Sequence, residues 1–214
     1  MIFINFKIYR EAWGEKGVEL AKICERVGLK TGVKIIPVVS ALDYGLIRNS
    51  IKGEIFLQHT DWQKDGAHNG AISMEQAQTA GVAGSLVNHS EKKLKLGTIK
   101  KTVAGKPEGF KLLTICQNIN QITKWGSELK TDYLAWEPKE LIGNPEVSVM
   151  DKYEEQVKKL VTGVKVPLII GAGIHRGEDV RRAIAAGAAG VLVASDVVKA
   201  GDPEKELTEL AEAF

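Results

Sequence analysis

The sequence predicts an α/β protein with the fold of a (β/α)8 barrel, formed as a single domain by residues 1–214. Short apolar segments alternate with amphipathic helical segments about eight times, which is the pattern of parallel strands joined by helices. The apolar segments lack the period-two alternation of half-exposed strands, as expected for strands buried on both faces. No Pro/Ser-rich or singly charged linker interrupts this order, so one domain fits the chain best.

Eight apolar runs are the predicted strands, at residues 2–6, 33–38, 55–57, 85–87, 112–115, 133–136, 168–170 and 190–193. A doubly wound open sheet is the alternative, because strand order cannot be read from a sequence. A dinucleotide-binding sheet carries Gly-x-Gly-x-x-Gly after its first strand, whereas here that strand ends in Asn5-Phe6-Lys7. The glycine-rich turn 171–177 follows the seventh run instead. Because phosphate-binding barrels use the loops after strands seven and eight, this position favours the barrel.

Helices are predicted between the strands, where apolar residues recur at three- and four-residue spacing, as over 20–27. Asp151, three residues before a glutamate, predicts a capping box, and Gly187 predicts the end of a later helix. The chain is shorter than the ~250 residues typical of such barrels. We therefore expect abbreviated helices within 117–131 and after Glu140.

Composition and charge exclude several classes of function. A net charge of +2, with basic and acidic residues interleaved, predicts no binding of nucleic acid or of an anionic membrane. Because Asn5 and Lys7 interrupt the apolar start, we expect no signal segment there, and no later run approaches the ~20 residues of a membrane span. Cys24 and Cys116 lie far apart without a Cys-x-x-Cys pattern, which indicates reduced core thiols in a cytoplasmic protein.

Three polar residues stand out at the ends of predicted strands. They are Lys7 after the first strand, His89 after the fourth and Glu137 after the sixth. Each alone is explained by a solvated loop or a hydrogen-bonded strand end. Together at the mouth of one barrel, a cation, an imidazole and a carboxylate form a complete acid-base set.

The other histidines give weaker signals. His59 and Asp61 could suggest metal ligands, but no second His/Glu pair completes a site, so structural hydrogen bonding is the better interpretation. His68 lies in a polar loop and is expected to be exposed. For His175, inside the glycine-rich turn, a surface role and a phosphate contact both remain open.

Five motifs in order along the chain resemble those of the triosephosphate isomerase family. They are Asn5-Phe6-Lys7, Asn-His-Ser-Glu at 88–91, Glu-Pro-Lys-Glu-Leu-Ile-Gly at 137–143, Gly-Ala-Gly-Ile at 171–174 and Val-Ala-Ser at 193–195. The short chain, the Gln-His pair after the third strand and the Ala-Ser ending of the eighth are similar to the archaeal branch.

The resemblance implies interconversion of dihydroxyacetone phosphate and glyceraldehyde 3-phosphate, in glycolysis and gluconeogenesis. It implies Glu137 as the base, and a neutral His89 as the hydrogen-bond donor to the enediolate, an arrangement for which triosephosphate isomerase itself is the standard example. Lys7 would supply a fixed positive charge. Neither a metal nor a cofactor is then required. Backbone N–H groups of the helix start after His89, at Ser90 and Glu91, would keep that imidazole neutral.

The resemblance also implies which residues hold the substrate and support the site. The substrate-binding residues are Asn5, Phe6, Lys7, Ile142, Gly143, Gly173, Ala194 and Ser195, and the supporting residues are Glu91 and Asn69. A homo-oligomer is implied, with a dimer as its unit and a tetramer in the archaeal branch. In that dimer the loop carrying Asn69 reaches the neighbouring subunit beside Lys7, although the family usually has Thr in place of Asn.

Two further positions depart from the family pattern. In the family, the motif at 137–143 carries the base and begins a flexible lid. Here Asn144-Pro145 follows Gly143 in place of the usual Thr-Gly, so we expect a stiffer hinge at the end of this lid. Asp196 follows Ser195 where a small residue is usual. Its carboxylate either turns away and caps the short turn that follows, or points into the phosphate site and repels the dianion.

Two other functions remain as alternatives. One is a different phosphosugar isomerase on the same barrel, which the Lys7, His89 and Glu137 set disfavours because such enzymes usually rely on two acidic residues. The other is a phosphometabolite-binding protein without catalysis, suggested by Asp196 and the altered lid.

Overall fold

Eight parallel strands close into a barrel in chain order in the computed structural model, which describes residues 1–144 and 146–214. The strands are β1 Ile2–Asn5, β2 Ile35–Val39, β3 Phe56–Leu57, β4 Gly84–Val87, β5 Lys111–Cys116, β6 Tyr133–Trp136, β7 Leu168–Gly171 and β8 Gly190–Val193. The barrel closes where β1 pairs with β8, with Ile2 opposite Val191 and Ile4 opposite Val193. The predicted (β/α)8 fold is confirmed, and the open sheet is excluded.

Helices surround the barrel and connect its strands. They are α1 Gly14–Thr31, α2 Tyr44–Arg48, α3 Met74–Thr79, α4 Leu96–Ala104, α5 Ile119–Glu128, α6 Val149–Gly163, α7 Gly177–Ala185, α8 Ser195–Val198 and α9 Pro203–Ala211. Single 3-10 turns lie at Arg10–Ala12 and Lys139–Leu141. The shortest connecting helices are α2, α3 and α8, so the expectation of abbreviated helices within 117–131 and after Glu140 is wrong.

The core has two layers because side chains of each strand point alternately into the barrel and out toward the helices. Phe3 and Phe56 point inward and meet edge to face, with ring centroids 5.3 Å apart. Ile2 and Ile4 point outward into the layer between the barrel and its helices. Both layers are buried, so the apolar runs lack alternation, as the sequence indicated.

Helix caps follow the sequence in part. Gly187 adopts a left-handed conformation after α7, as predicted. The capping box of α6 begins at Ser148, and Asp151 is its third helical residue rather than its first cap. The side chain of Ser148 accepts a bond from the Met150 N–H, and Asp151 accepts from the Ser148 N–H. The prediction placed this box three residues too late because the serine that starts it was overlooked.

No helix in residues 1–144 and 146–214 is long and apolar enough to cross a membrane.

Candidate active site

The carboxyl ends of β1, β4 and β6 bring Lys7, His89 and Glu137 together. All three line one cavity of about 410 Å3 at that end of the barrel. His89 Nε2 lies 3.7 Å from Glu137 Oε2. The predicted acid-base set therefore shares a single space, in which a small ligand can contact each member.

Strained backbone marks the strand ends around this cavity. Among the described residues other than glycine, positive φ angles occur at Lys7, Asn88 and Ala172, with values of 47°, 63° and 66°. They lie just after β1, β4 and β7. Asn5 Oδ1 accepts a hydrogen bond from the Lys7 N–H at 3.1 Å, and Gln58 Nε2 donates one to the Lys7 carbonyl oxygen at 2.8 Å. Such conformations cost about 1–3 kcal/mol each and persist where surrounding bonds enforce them.

His89 is held as a neutral imidazole. The Glu91 N–H donates to its Nδ1 at 3.2 Å, so a neutral ring carries its proton on Nε2, the nitrogen nearest Glu137. Asn5 Nδ2 lies 3.4 Å from the same Nε2, a longer and weaker contact than the bond from the Glu91 N–H to Nδ1. Burial lowers the pKa of His89 to about 4, and the positive charge of Lys7 lowers it further against the opposing effect of Glu91.

Glu137 has the properties of a base at neutral pH. Burial raises the pKa of its carboxyl group to about 7, although Lys7 acts in the opposite direction. Its Oε2 is buried and has no hydrogen-bond partner among the described residues. An added Cβ atom at Gly171 would lie 2.9 Å from Glu137 Cγ. The glycine that ends β7 thus leaves the space that Glu137 occupies.

Lys7 is fixed by an ion pair at the edge of the cavity. Its Nζ lies 2.6 Å from Glu91 Oε1, and its side chain is 17% exposed, whereas that of Glu91 is 57% exposed. The other carboxylate oxygen of Glu91 lies 3.8 Å from His89 Nδ1. Glu91 therefore positions both the cation and the imidazole, one by its carboxylate and the other by its backbone N–H.

The loops after β6, β7 and β8 form the remaining wall. From the predicted substrate-binding set, this wall contains Ile142, Gly143, Gly173, Ala194 and Ser195. Gly173 has a φ of 71°, and a Cβ there would lie 2.5 Å from the carbonyl oxygen of Val147. Only glycine fits at this crossing of the two loops, because a side chain would collide with the backbone before α6.

Two predicted residues lie away from the cavity. Phe6 is buried in the outer core layer and does not line it, unlike its neighbours Asn5 and Lys7. Asn69 is exposed on the long loop after β3 and does not reach the cavity of its own chain. A contribution of Asn69 would require a second subunit.

The segment that follows Gly143 is held by a side chain that the sequence analysis singled out, Asn144. Asn144 Oδ1 accepts bonds from the N–H groups of Glu146 and Val147, at 2.9 and 3.0 Å. These bonds connect Asn144 to the residues directly before α6. The expected stiffening by Asn144-Pro145 concerns Pro145, which lies outside the described residues.

Asp196 adopts neither of the two orientations considered. It makes no cap to α8, whose preceding residue is Ala194. It lines the cavity, but its Oδ1 lies 2.7 Å from Nδ1 of His175 in the turn after β7. A short charge-assisted bond of this kind is stronger than a helix cap, which explains the outcome.

The remaining histidines lie outside the cavity. His59 Nε2 pairs with Asp61 Oδ1 at 2.9 Å, and Asp61 also accepts the Ile72 N–H, which ties the two ends of the long loop. His68 is exposed. Within residues 1–144 and 146–214, no three His, Cys, Asp or Glu side chains are placed to hold a metal ion.

Sequence reasoning missed three residues that shape the site. Tyr9 and Gly171 line or border it, and Gln117 donates to the carbonyl of the strained Asn88 at 3.2 Å. Gly171 and Gln117 directly end or follow strands, the same signal that singled out Lys7. The signal was applied to polar residues, which left out Gly171, and the predicted fifth strand ended at residue 115, which left Gln117 away from its end.

Comparison with known proteins gives full-length relatives of one family, whereas two family profiles divide the chain between them. The family profile described as triosephosphate isomerase matches residues 1–115, more than half of the chain, and that of thiazole biosynthesis protein ThiG matches residues 147–214. Triosephosphate isomerase of Methanothermus fervidus is 40% identical, over 98% of this chain and 96% of the relative. That of Methanocaldococcus jannaschii is 39% identical over 98% of each chain. That of Archaeoglobus fulgidus is 37% identical over 98% and 96%.

Proposed function

Because this chain belongs to the triosephosphate isomerase family, we propose that Lys7, His89 and Glu137 carry out its reaction on triose phosphates. The reaction interconverts dihydroxyacetone phosphate and D-glyceraldehyde 3-phosphate, a step of glycolysis and gluconeogenesis. A proton moves between adjacent carbons through an enediolate. A base, a hydrogen-bond donor and a fixed cation are the groups that this transfer needs.

Glu137 is the base that removes the carbon-bound proton. Its pKa of about 7 supports this role, because a base is most effective when its pKa lies near the working pH. Its unpartnered Oε2 is available to the substrate. After abstraction, the protonated carboxyl group returns the proton to the neighbouring carbon, while the hydroxyl proton passes from one oxygen to the other through Nε2 of His89, so that each carbon and each oxygen is balanced.

His89 and Lys7 stabilise the enediolate. The Nε2–H of neutral His89 donates to the developing oxyanion, and a neutral imidazole matches the proton affinity of an enediolate better than an imidazolium does. Lys7 places its ammonium group in the same cavity. Because the cavity is partly shielded from water, both contacts are stronger than they would be in solution.

The phosphate of the substrate binds at the opposite wall. Backbone N–H groups of Gly143, Gly173 and Ser195 cradle it, and Ile142 and Ala194 complete this wall. At the opposite side of the cavity, Asn5 accepts a hydrogen bond from the Lys7 N–H and so fixes the backbone of Lys7. Phe6 contributes as a core residue beneath Asn5 and Lys7 rather than by contact with the substrate.

We also propose a homo-oligomer built from a dimer. A second cavity of about 320 Å3 opens beside Lys7 and is lined by Leu42, Gln58 and Ile72 among others. Leu42 is 97% exposed in the single chain. Docking of the loop that carries Asn69 of a second copy in this cavity would cover Leu42 and support Lys7. Assembly of such dimers into tetramers rests on the resemblance to the archaeal branch.

A single-domain, cytoplasmic enzyme fits these features. Pairing of the first strand with the last supports the interpretation of residues 1–214 as one domain. Cys24 and Cys116 are buried and unpaired, as in a reducing compartment.

The 3.7 Å separation of His89 and Glu137 in a cavity shared with Lys7 carries this proposal. A coupled assay with purified protein tests it, with each triose phosphate supplied in turn. We expect turnover in both directions without added metal or cofactor, also in the presence of a chelator. A protein that binds triose phosphates without turnover would instead support the binding-protein alternative.

A further inference from the structure

One side-chain contact joins the two phosphate loops directly. His175 lies in the turn after β7, Asp196 in the first turn after β8, and their Nδ1 and Oδ1 atoms are 2.7 Å apart. Both residues line the same cavity as Gly173 and Ser195. The pair thus bridges the two loops that are proposed to hold the phosphate.

The Asp196 carboxylate depends on His175 for a hydrogen bond that stabilises its negative charge. Within the part of the chain that the structure describes, the one side chain that can donate a short hydrogen bond to this carboxylate is His175, whose Nδ1 lies 2.7 Å from Oδ1. Its other oxygen lies 3.4 Å from the Ser195 hydroxyl, at the limit of a weak bond. A carboxylate released from His175 would stand at the phosphate cradle and repel a dianion.

The turn that carries His175 is anchored independently of this pair. Asp179 is buried, and its Oδ2 accepts from the N–H groups of both His175 and Arg176, at 3.0 and 3.1 Å. Removal of the imidazole therefore leaves the backbone of the turn in place. The ring itself is fixed through Nδ1, because its Nε2 has no partner among the described residues.

We infer that His175 is a positioning residue for phosphate binding, which holds the carboxylate of Asp196 off the phosphate cradle. The inference rests on the proposed function, because it takes the cradle of Gly173 and Ser195 as the phosphate site. His175 and Asp196 act as a matched pair: the carboxylate orients the ring, and the ring compensates the carboxylate. Neither residue takes part in proton transfer, so the pair governs affinity for the phosphate and leaves the chemical step to Glu137.

A four-protein cycle tests this inference, with the wild type, His175→Ser, Asp196→Asn and the double variant. The measured quantities are kcat, KM for glyceraldehyde 3-phosphate and the competitive inhibition constant of inorganic phosphate. We expect His175→Ser to raise KM and the inhibition constant about tenfold, while kcat falls less than about threefold. Asp196→Asn removes the charge but keeps the shape, so the double variant should return to within about threefold of the wild type.

Two results would overturn the inference. One is a double variant as weak as His175→Ser, which indicates that the pair only stiffens the loops. The other is a His175→Ser variant whose phosphate inhibition is unchanged. If inorganic phosphate fails to compete with substrate in the wild type, the proposed phosphate site itself is wrong. Glu178→Ser is the matched control. It removes an exposed ion pair with Arg181 within α7, away from the cavity, and should leave KM and the inhibition constant of phosphate unchanged.

Discussion

Gly171 and Glu137 occupy adjacent strand ends so closely that a single methyl group would collide with the proposed base. A Cβ atom at position 171 would lie 2.9 Å from Glu137 Cγ and 3.3 Å from its Oε1. The first distance is shorter than real contacts of a Cβ atom, and Cγ lies too near the backbone to swing away. The orientation of the base therefore depends on the absence of a side chain on the neighbouring strand.

Gly171→Ala should displace Glu137 and lower kcat by tenfold or more with a small change in KM. A misplacement of about 1 Å in a catalytic group can cost about 10²-fold. Steady-state kinetics on the purified variant check this. Gly163→Ala, at the end of α6 with open space around it, is the control. Equal kcat values in the two variants would show that Glu137 tolerates the displacement.

The pH profile of kcat/KM should fall on the acidic side with a midpoint near 7. Glu137 must be ionised to act as a base, and burial raises its pKa to about 7, so protonation below this pH removes activity. His89, with its pKa lowered to about 4, should add no second break between pH 5 and 7.

The substrate phosphate also titrates, with a pKa of about 6, so a variant must assign the break. Glu91 raises the pKa of Glu137, and Glu91→Gln should move the midpoint to lower pH. The substrate is the same in both proteins. An unmoved midpoint would assign the break to the substrate instead.

Glu137→Gln should stabilise the fold at alkaline pH. The folded-state pKa of Glu137 lies above its ordinary value of 4.5, so its contribution to stability is complete below pH 4.5 and is lost as pH rises to about 7. The loss amounts to about 3 kcal/mol at most. Glutamine does not titrate, so the Tm of the variant should exceed that of the wild type at pH 8 by more than at pH 4. A difference in Tm that is constant with pH contradicts this account.

Deletion of residues 64–69 should yield a monomer with strongly reduced activity. The loop between β3 and α3 is long and polar, and its tip is exposed. Its loss would remove the proposed contact with the cavity beside Lys7 of a second subunit. Sedimentation and the coupled assay, run on the same sample, check the prediction. A fully active monomer would show that no neighbouring loop supports Lys7.

The acid-base set could be predicted from sequence because Lys7, His89 and Glu137 each lie within two residues of a strand end, and the strands of a parallel barrel end at one rim. The pairing of His175 with Asp196 could not, because it joins residues 21 positions apart on different loops. Local patterns explain side chains only within one element. Contacts between loops depend on how close the strands that carry them lie in the barrel, and a sequence pattern does not predict that distance.

The role of Gly171 was missed for a similar reason. The sequence shows that residue 171 is a glycine. The reason that it must lack a side chain is the position of Glu137, which follows the neighbouring strand β6. The capping box of α6 was misplaced by three residues for a simpler reason, since Asp151 is part of it but Ser148 starts it.

Deuterium incorporation in D2O tests most directly the claim that Glu137 transfers the proton. Dihydroxyacetone phosphate is incubated with wild type or Glu137→Gln, and carbon-bound deuterium in both triose phosphates is followed by NMR. Glu155→Gln, an exposed carboxylate on α6, is the control. We expect rapid labelling with the wild type and the control, and a rate at least ~10³-fold lower with Glu137→Gln, because the amide cannot accept the proton. Labelling by Glu137→Gln within tenfold of the wild-type rate would contradict the account.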